Sequence, residues 1–405
     1  MNTDELSSLP VGNYFHRYLN YAISLLENYK AGEPFHLYLK KYFSSSKKHG
    51  SKDRRQISSL CYNYFRLGLG VSSTIAVPEK LLLATFLFEK NTSALLEHLK
   101  PEWNKKIEWD LERKIKSEKK IFNPQKIFPF REELSQQINF DQFNLSFLKQ
   151  PKLFIRIRPE RENSVFDKLK NANISFEKTR KNCLAFSNAT KITDILSIDK
   201  DAVIQDYNSQ KTGDVLKEQI KLPVHGFLVW DCCAASGGKS ILVYDLLKNI
   251  ELTVSDTRKN ILQNLGLRFQ KAGIKDYTSF TADLSFSTSL KSIKTPFDLI
   301  IADVPCSGSG TWARTPEQLL FFNKDEILKY AELQQKIVLN AEKYLKDGGY
   351  FLYITCSVFA KENEENVNFF QQRTNFKLIK AEYLRGYEMQ ADTLFAALFK
   401  KPVKE

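Results

Sequence analysis

The spacing of apolar residues changes several times along the chain. Between residues 12 and 100, apolar side chains recur every three or four positions, as at Tyr18, Ala22 and Leu25, which predicts packed helices. Residues 101–135 are charged and lack clear periodicity before Ile121, which is typical of a connecting segment with some helix. We therefore predict an all-α domain with a charged linker over residues 1–135.

Residues 136–222 are predicted to form a small α/β module. The run Leu153–Pro159 predicts a strand ended by proline, Asn163–Leu169 predicts a helix, and Ser175–Glu177 and Cys183–Phe186 predict two further strands. This split βαβ pattern is similar to RNA-recognition modules, which often present a sheet face to RNA. Exposed arginines are usually just solvated, but a group of basic residues could add positive charge here: Arg156, Arg158, Arg161, Arg180 and Lys181.

From residue 223 to residue 405, strands alternate with helices. Helices are predicted over residues 241–247, 259–272, 327–346 and 362–372. Five strands are predicted at Gly226–Trp230, Leu252–Asp256, Tyr277–Asp283, Phe297–Asp303 and Tyr350–Thr355, and a last one at residues 393–400. This α/β alternation predicts a mostly parallel, doubly wound, Rossmann-like sheet, with the last strand antiparallel.

The net charge of +13 is unevenly distributed over the 405 residues, a length that suits two or three domains. Residues 1–225 carry 37 Lys and Arg against 26 Asp and Glu, whereas residues 226–405 carry 23 against 21. Because Lys and Arg neutralise phosphates, the basic half favours a polyanion such as RNA as partner. A charge that serves only solubility would give the same composition.

The chain shows no sign of export. Its longest apolar runs are far shorter than a membrane span, and its acidic, polar start differs from a secretory signal. The six cysteines lack the spacing of disulfide frameworks and of metal sites. We therefore predict a cytoplasmic protein with reduced thiols, no membrane association and no metal, and we expect a monomer.

A glycine-containing loop, DCCAASGGKS at residues 231–240, follows the strand Gly226–Trp230. Gly237 and Gly238 allow a sharp turn and a close approach of the backbone to a ligand. The loop has neither the spacing of a phosphate-binding loop nor that of a dinucleotide fingerprint. It is either an ordinary turn or a site for a nucleotide-like ligand at the carboxyl end of a strand.

Four strands end in acidic residues that are expected at one edge of the sheet: Asp231, Asp256, Asp283 and Asp303. Carboxylates would repel a pyrophosphate, but they suit ribose hydroxyls or a cation such as the sulfonium of S-adenosylmethionine. For any single one of them, a helix cap is the more common role.

Two cysteines lie just beyond neighbouring strands, Cys306 in DVPCSGSG and Cys356 in TCS. Adjacent carboxyl ends would bring their thiols together beside the glycine-containing loop. Without metal spacing, the pair suggests nucleophilic chemistry, whereas two buried structural cysteines are the alternative. The residues alone leave open which sulfur would attack.

These motifs resemble the paired-cysteine motifs of the Sun-type RNA cytosine-5 methyltransferases. Residues 234–239 are similar to that family's cofactor loop, residues 206–210 to its pre-catalytic segment, and residues 362–364 also fit. The closest subgroup is the bacterial 16S ribosomal RNA enzymes, whose N-terminal domain is similar to the antitermination factor NusB. Residues 12–70 resemble that domain, notably residues 48–55 and 62–66.

The resemblance implies S-adenosylmethionine as cofactor, Cys356 as nucleophile and Cys306 as helper for product release. It also implies that Lys239 supports the site, while Asp303 could hydrogen-bond the base. Asp256 would bind ribose and Asp283 the adenine end. The residues expected to bind cofactor are Cys233, Ala234, Ala235, Ser236, Gly237, Gly238, Lys239, Asp256, Arg258, Asp283 and Asp303.

The resulting prediction is methylation of cytosine C5 in RNA, with 16S ribosomal RNA as the expected substrate. One alternative is a non-catalytic RNA-binding factor for ribosome assembly that has kept the fold. Another is a DNA cytosine methyltransferase, a class that shares the Pro-Cys motif but lacks the Thr-Cys motif and the helical domain.

Overall fold

The computed structural model describes residues 14–46, 48–220, 226–286, 293 and 295–403. The acidic start of the chain and the predicted domain boundary at residues 222/223 lie outside these ranges. The chain forms two compact units. The helical unit takes the described residues of 1–131 with 140–150 and 312–322, and the sheet unit takes those of 132–139, 151–311 and 323–405.

Helices come first along the chain, and strands alternate with helices from residue 153 onward. In chain order, the helices of the described residues are α1 (Tyr14–Asn28), α2 (Phe35–Ser45), α3 (Ser51–Arg66), α4 (Val77–Phe88), α5 (Ala94–Leu99), α6 (Pro101–Asn104), α7 (Leu111–Ser117), α8 (Phe140–Ser146), α9 (Glu162–Asn171), α10 (Tyr207–Gln219), α11 (Gly238–Leu247), α12 (Lys259–Ala272), α13 (Gln318–Phe321), α14 (Asp325–Ala341) and α15 (Glu364–Arg373). The strands are β1 (Leu153–Ile157), β2 (Glu177–Arg180), β3 (Cys183–Phe186), β4 (Ala202–Ile204), β5 (Phe227–Asp231), β6 (Ile250–Asp256), β7 (Tyr277–Thr281), β8 (Phe297–Asp303), β9 (Leu345–Thr355), β10 (Lys377–Leu384) and β11 (Leu394–Lys400).

The helical unit packs α1, α3 and α4 around an aromatic core. The Phe35 ring meets Phe65 edge to face at 4.8 Å between centroids, a favourable geometry for aromatic pairs. A segment distant in sequence, residues 312–322, completes this unit. Within it, Glu317 accepts a hydrogen bond from the backbone N–H of Phe35 at 3.1 Å, so a carboxylate satisfies a free donor at the start of α2.

The smaller sheet of the sheet unit has the antiparallel order β2-β3-β1-β4. On one face, Ile155 and Leu184 pack with Val165 and Leu169 of α9. The other face of the sheet carries the side chains of Phe154, Cys183 and Ala185. These pack against Tyr207, Met389 and Ala391. Because the chain covers both faces, the expectation of a sheet face open to RNA is wrong for this sheet.

The arginines of this small sheet are also engaged, contrary to the expectation of exposed charges. Arg156 and Arg158 both pair with the buried Asp245 of α11 at 2.6 Å, and Arg180 pairs with Asp214 of α10 at 2.6 Å. Desolvating the guanidinium groups of Arg156 and Arg158 is tolerable because both meet the Asp245 carboxylate, whereas the Arg180 side chain stays 33% exposed. These three charges therefore join the small sheet to the helices of the larger one.

The larger sheet has the order β10-β11-β9-β8-β5-β6-β7. Strands β5 to β9 are parallel, and β11 pairs antiparallel with β9, which confirms the prediction of a mostly parallel sheet with an antiparallel last strand. Strand β10, at the edge, was not predicted. The chain order reverses at β5, which lies between β8 and β6, and doubly wound sheets bind ligands at the carboxyl ends of strands at such a switch point.

Substitution of Gly237 by alanine tests the close packing at this switch point. Gly237 precedes α11 with φ of 82°, and an added Cβ would lie 2.8 Å from Cε1 of Phe269. We expect Gly237→Ala to lose about 1–2 kcal/mol from the left-handed backbone and a further ~1–3 kcal/mol from overpacking. The matched control is Gly273→Ala, which has φ of 75° and nothing within 4 Å of its Cβ. Urea unfolding would measure both, and equal losses would contradict the packing argument.

Candidate active site

The glycine-containing loop closes against the end of β6. The N–H of Ala234 donates to the carbonyl of Ser255 at 2.9 Å, and the N–H of Ala235 donates to Oδ2 of Asp256 at 3.0 Å. Ala235 takes a positive φ of 44°, a conformation that costs energy for a residue with a Cβ. These bonds hold the turn open, with Ala235 and Ser236 exposed at its tip.

Asp256 at the end of β6 is buried and fully engaged. Arg258 donates to both carboxylate oxygens, from Nε at 3.0 Å and from Nη2 at 3.2 Å. Burial alone would raise the pKa of Asp256, but the hydrogen bonds and charge of Arg258 outweigh it and hold that pKa below its ordinary range. The Arg258 side chain itself is 58% exposed, so a ligand with hydroxyl donors could take its place without uncovering the core.

A cleft of about 320 Å³ lies at the carboxyl ends of the strands. The predicted residues that line it are Cys233, Ala234, Ala235, Ser236, Gly238, Lys239, Asp303 and Cys356. Asp256, Arg258 and Asp283 are not part of this lining among the described residues. Asp283 lies after β7, where it accepts hydrogen bonds from the N–H and hydroxyl of Ser285 at 2.9 and 2.6 Å.

Eight lining residues were absent from the predicted site: Ile204, Gln205, Asp206, Ser209, Arg268, Thr311, Asp392 and Leu394. Ser209 belongs to the segment 206–210 that the family resemblance singled out, so the sequence contained a signal for it. Arg268 projects from the middle of α12 to the carbonyl of Ser236 at 2.8 Å. Nothing in a helical pattern distinguishes such an arginine from a solvated one, and only the tertiary fold shows it.

Lys239 and Asp303 form an ion pair inside the cleft. Nζ of Lys239 lies 3.1 Å from Oδ2 of Asp303 and 2.8 Å from Oγ of Ser209. The Lys239 side chain is 10% exposed and that of Asp303 is 34% exposed. The lysine is thus held at the back, while the carboxylate remains accessible to a polar ligand in the cleft.

The two predicted thiols lie side by side at the ends of β8 and β9. Sγ of Cys306 is 3.2 Å from Sγ of Cys356, and both are free thiols, which confirms their predicted proximity. The N–H of Cys356 also approaches Sγ of Cys306 at 3.3 Å. The hydrogen bond with Cys356, followed by burial and nearby negative charge, raises the pKa of the Cys306 thiol well above its ordinary value. Cys356 lines the cleft.

Asp231 has a different environment from the other strand-end acids. Its side chain is fully buried; Oδ2 accepts a hydrogen bond from Oγ of Ser240 at 2.5 Å, while Oδ1 has no partner. Burial raises the pKa of Asp231 to about 7. Asp231 thus ends its strand at the predicted edge of the sheet, but it is buried below the loop and does not line the cleft.

The part of the chain that the structure describes contains neither a metal-binding cluster nor a membrane-spanning helix. No group of three or more His, Cys, Asp and Glu side chains is arranged to hold a metal ion there. None of its helices combines the length and apolarity needed to cross a membrane.

Comparison with known proteins adds an independent observation. A family model described as "16S rRNA methyltransferase RsmB/F" matches residues 189–397. Ribosomal RNA small subunit methyltransferase B of Xanthomonas campestris is 29% identical over 174 residues, 43% of this chain and 39% of that protein. The 28S rRNA (cytosine(4447)-C(5))-methyltransferase of Homo sapiens is 28% identical over 180 residues, 43% of this chain and 22% of that protein. The chain thus aligns with less than half the length of either relative.

The fold also has a close structural counterpart. The crystal structure of PH0851 matches with a TM-score of 0.68 at 20% sequence identity, covering 97% of this chain and 99% of that chain. At this level of identity the match establishes a shared fold.

Replacing Asp231 with asparagine tests its buried carboxyl. The Asp231 carboxyl binds its proton more tightly in the folded state than in the unfolded state. The free energy of unfolding of the wild type therefore falls as pH rises from about 4 toward 7. We expect Asp231→Asn, which keeps an acceptor for Ser240, to lose this dependence. Its stability relative to wild type should increase across that window, by at most about 1.4 kcal/mol per pH unit, and level off above it. Denaturation of both proteins between pH 4 and 8 would measure this, and a constant difference in their free energies of unfolding would contradict it.

Proposed function

The chain belongs to the 16S rRNA methyltransferase RsmB/F family, and we propose that it methylates C5 of a cytosine in RNA, with S-adenosylmethionine as methyl donor. The single observation that best supports the proposal is the pair of free thiols 3.2 Å apart, one of which lines the cleft beside the glycine-containing loop. Small-subunit ribosomal RNA is the substrate we favour, because a relative named ribosomal RNA small subunit methyltransferase B matches 43% of this chain.

The residues around the cleft fit the proposed cofactor. The cleft lining holds three acids, Asp206, Asp303 and Asp392, beside Lys239 and Arg268. The acids would suit a cationic sulfonium and a ribose diol. Residues 233–238 would lie along the cofactor, and Asp256 would bind its ribose once Arg258 moves aside. Asp283, outside the cleft lining, would reach only the adenine end. When bound, the cofactor supplies an electrophilic methyl group.

The proposed chemistry requires a nucleophile because C5 of cytosine is itself weakly nucleophilic. The Cys356 thiolate would add to C6, forming a C–S bond and giving C5 the character of an enamine carbon. C5 would then accept the methyl group, after which loss of the C5 proton and expulsion of the Cys356 thiolate would restore the ring. Cys306 would assist this last stage.

Asp303 and Lys239 would orient the base. The accessible carboxylate of Asp303 would hydrogen-bond the N3/N4 edge of cytosine, and its ion pair with the buried Lys239 would keep that carboxylate in position. A base inside a duplex could not reach Cys356, so the target must be unpaired or flipped out. This requirement agrees with the general recognition of RNA at single-stranded loops.

The proposal also covers the domains of the chain, its location in the cell and its oligomeric state. Residues 1–135 would form a NusB-like RNA-binding domain, residues 136–222 an RRM-like module and residues 223–405 the catalytic domain. The protein would act in the cytoplasm as a monomer. The helical region has basic residues at the start of α3, where Arg54 donates to the carbonyl of His49 at 2.9 Å, and these residues would approach RNA phosphates.

A methyl-transfer assay tests the proposed reaction. With tritiated cofactor, we expect label in 16S ribosomal RNA as 5-methylcytosine and none in DNA. Transfer to DNA would favour a DNA methyltransferase, and binding of RNA without transfer would favour the non-catalytic assembly factor.

Substitution of each cysteine tests the assigned roles. We expect Cys356→Ser to reduce turnover by at least about a thousandfold, since a hydroxyl is a far weaker nucleophile at neutral pH, and to form no covalent complex with RNA containing 5-fluorocytosine. Cys306→Ala should still form a covalent complex, even with RNA that contains ordinary cytosine, and should release that RNA slowly. Gel electrophoresis under denaturing conditions would reveal each adduct, and a trapped adduct in Cys356→Ser alone would reverse the assignment.

A further inference from the structure

We propose that the buried carboxylate of Glu362 is a positioning residue that keeps Cys306 as a neutral thiol, so that its proton is directed at Sγ of Cys356 and the reactive thiolate forms there. The inference deepens the proposed function, because it explains how two adjacent cysteines would acquire different roles. It rests on the contacts of Glu362 and on the location of the two sulfurs.

Glu362 joins the two cysteine loops through a single side chain. It lies six residues after Cys356 and is fully buried. Oε2 accepts a hydrogen bond from the N–H of Ser307 at 2.9 Å, and Oε1 accepts one from the hydroxyl of Ser357 at 2.6 Å. Ser307 directly follows Cys306 and Ser357 directly follows Cys356, so one carboxylate fixes the residue beyond each sulfur.

The third partner of Glu362 shows that the network is arranged around an acceptor. Nε2 of Gln334 on α14 donates to Oε2 of Glu362 at 2.9 Å and to the carbonyl of Pro305 at 2.9 Å. The orientation of this amide is fixed, because its Oε1 accepts from Nδ2 of Asn366 at 2.8 Å and from the hydroxyl of Tyr353 at 2.9 Å. Burial raises the pKa of Glu362 above its ordinary value, although the donors from Ser307, Ser357 and Gln334 oppose that effect. A carboxyl that meets only donors is stabilised in its ionised form.

This fixed negative charge disfavours a second one on Cys306. The pKa of the Cys306 thiol is raised by the hydrogen bond with Cys356, by burial and by the charges of Cys356 and Glu362, although the N–H of Cys356 opposes them. Two more titratable groups are coupled to this sulfur, Tyr330 on α14 and Tyr353 on β9; burial raises the pKa of both hydroxyls, so they remain neutral. Glu362 is therefore the carboxyl among these neighbours, and its ionised form opposes ionisation of Cys306.

A neutral thiol on Cys306 has one hydrogen to donate, and Sγ of Cys356 lies 3.2 Å away. A donor at this distance stabilises an anion on the acceptor sulfur. Cys356 lines the cleft whereas Cys306 does not, so the ionised sulfur would be the one that a base can reach. Cys306 would also hold a proton close to the site of thiolate expulsion, where a helper for product release is needed.

Residue-resolved alkylation of the folded protein tests the inference without RNA or cofactor. Iodoacetamide would be applied over a pH series, and mass spectrometry would follow each cysteine. In the wild type we expect Cys356 to react well before Cys306. In Glu362→Gln, whose amide can still bond Ser307, Ser357 and Gln334, Cys306 should react about tenfold faster at pH 8, equivalent to about one pKa unit.

The control variant is Glu364→Gln, which removes an acid on the same stretch that bonds Ser135 and Tyr383 instead of the cysteine loops. Cys233, half-buried at the glycine-containing loop, is the internal reference whose rate should not change in either variant. A merely structural role for Glu362 would alter the thermal stability without changing the ratio of Cys306 to Cys356 modification.

Two outcomes would overturn the inference. One is an unchanged Cys306 profile in folded Glu362→Gln. The other requires no variant at all: faster alkylation of Cys306 than of Cys356 in the wild type, which remains informative if Glu362→Gln does not fold. Neither alkylation measurement uses a methyl acceptor, so the two hypotheses can fail separately. If alkylation follows the expected pattern but the methyl-transfer assay fails, the proposed function is refuted and the thiol assignment stands.

Discussion

The parallel pairing of β8 with β9 is the constraint on which the site depends. Asp303 is opposite Ile354 in this ladder, so the chain leaves both strands at the same edge and at nearly the same level. The ladder lies in the interior: Ile300, Ile301 and Ile354 are fully buried, and burial of such side chains contributes about 1.5–3 kcal/mol each. A one-residue slip would reverse the side-chain directions of a whole strand. The separation of the two sulfurs is thereby set by the core.

The loop after β8 has little freedom beyond this ladder. The N–H of Gly310 donates to the carbonyl of Cys356 at 2.8 Å, and the N–H of Thr393 donates to the carbonyl of Gly310 at 2.9 Å. A Cβ on Gly310 would lie 2.0 Å from the Thr393 carbonyl, so only glycine fits there. The hydroxyls of Ser307, Ser309 and Ser357 lie 3.1–3.2 Å from one another. Reactive groups held this rigidly need little reorganisation when a base arrives.

Much of this arrangement follows from the sequence, because strand-helix alternation and topology rules act over short distances. The parallel strands, the antiparallel β11 and the meeting of Cys306 with Cys356 were predicted correctly, and the match over residues 189–397 confirms the family resemblance. Strand β10 was missed because, at the sheet edge, it mixes polar and apolar residues with no buried run before Tyr383. Its strand character comes from pairing with β11, which a local pattern does not contain.

The remaining wrong predictions concern charged side chains, because the environment of a charged side chain is set by partners distant in sequence. Arg156 is 89 residues from Asp245, and Asp231 is distinguished from Asp303 only by burial.

The same reasoning applies to the thiols themselves. Cys306 and Cys356 have similar motifs and both are half-buried, but only Cys356 lines the cleft. A second difference lies behind them, where Glu362, held by Gln334 and the two serines, opposes ionisation of Cys306. We infer that the chemistry of this similar pair is set by a buried residue outside the cleft lining. Any inference of mechanism from paired cysteine motifs depends on the buried groups that support them.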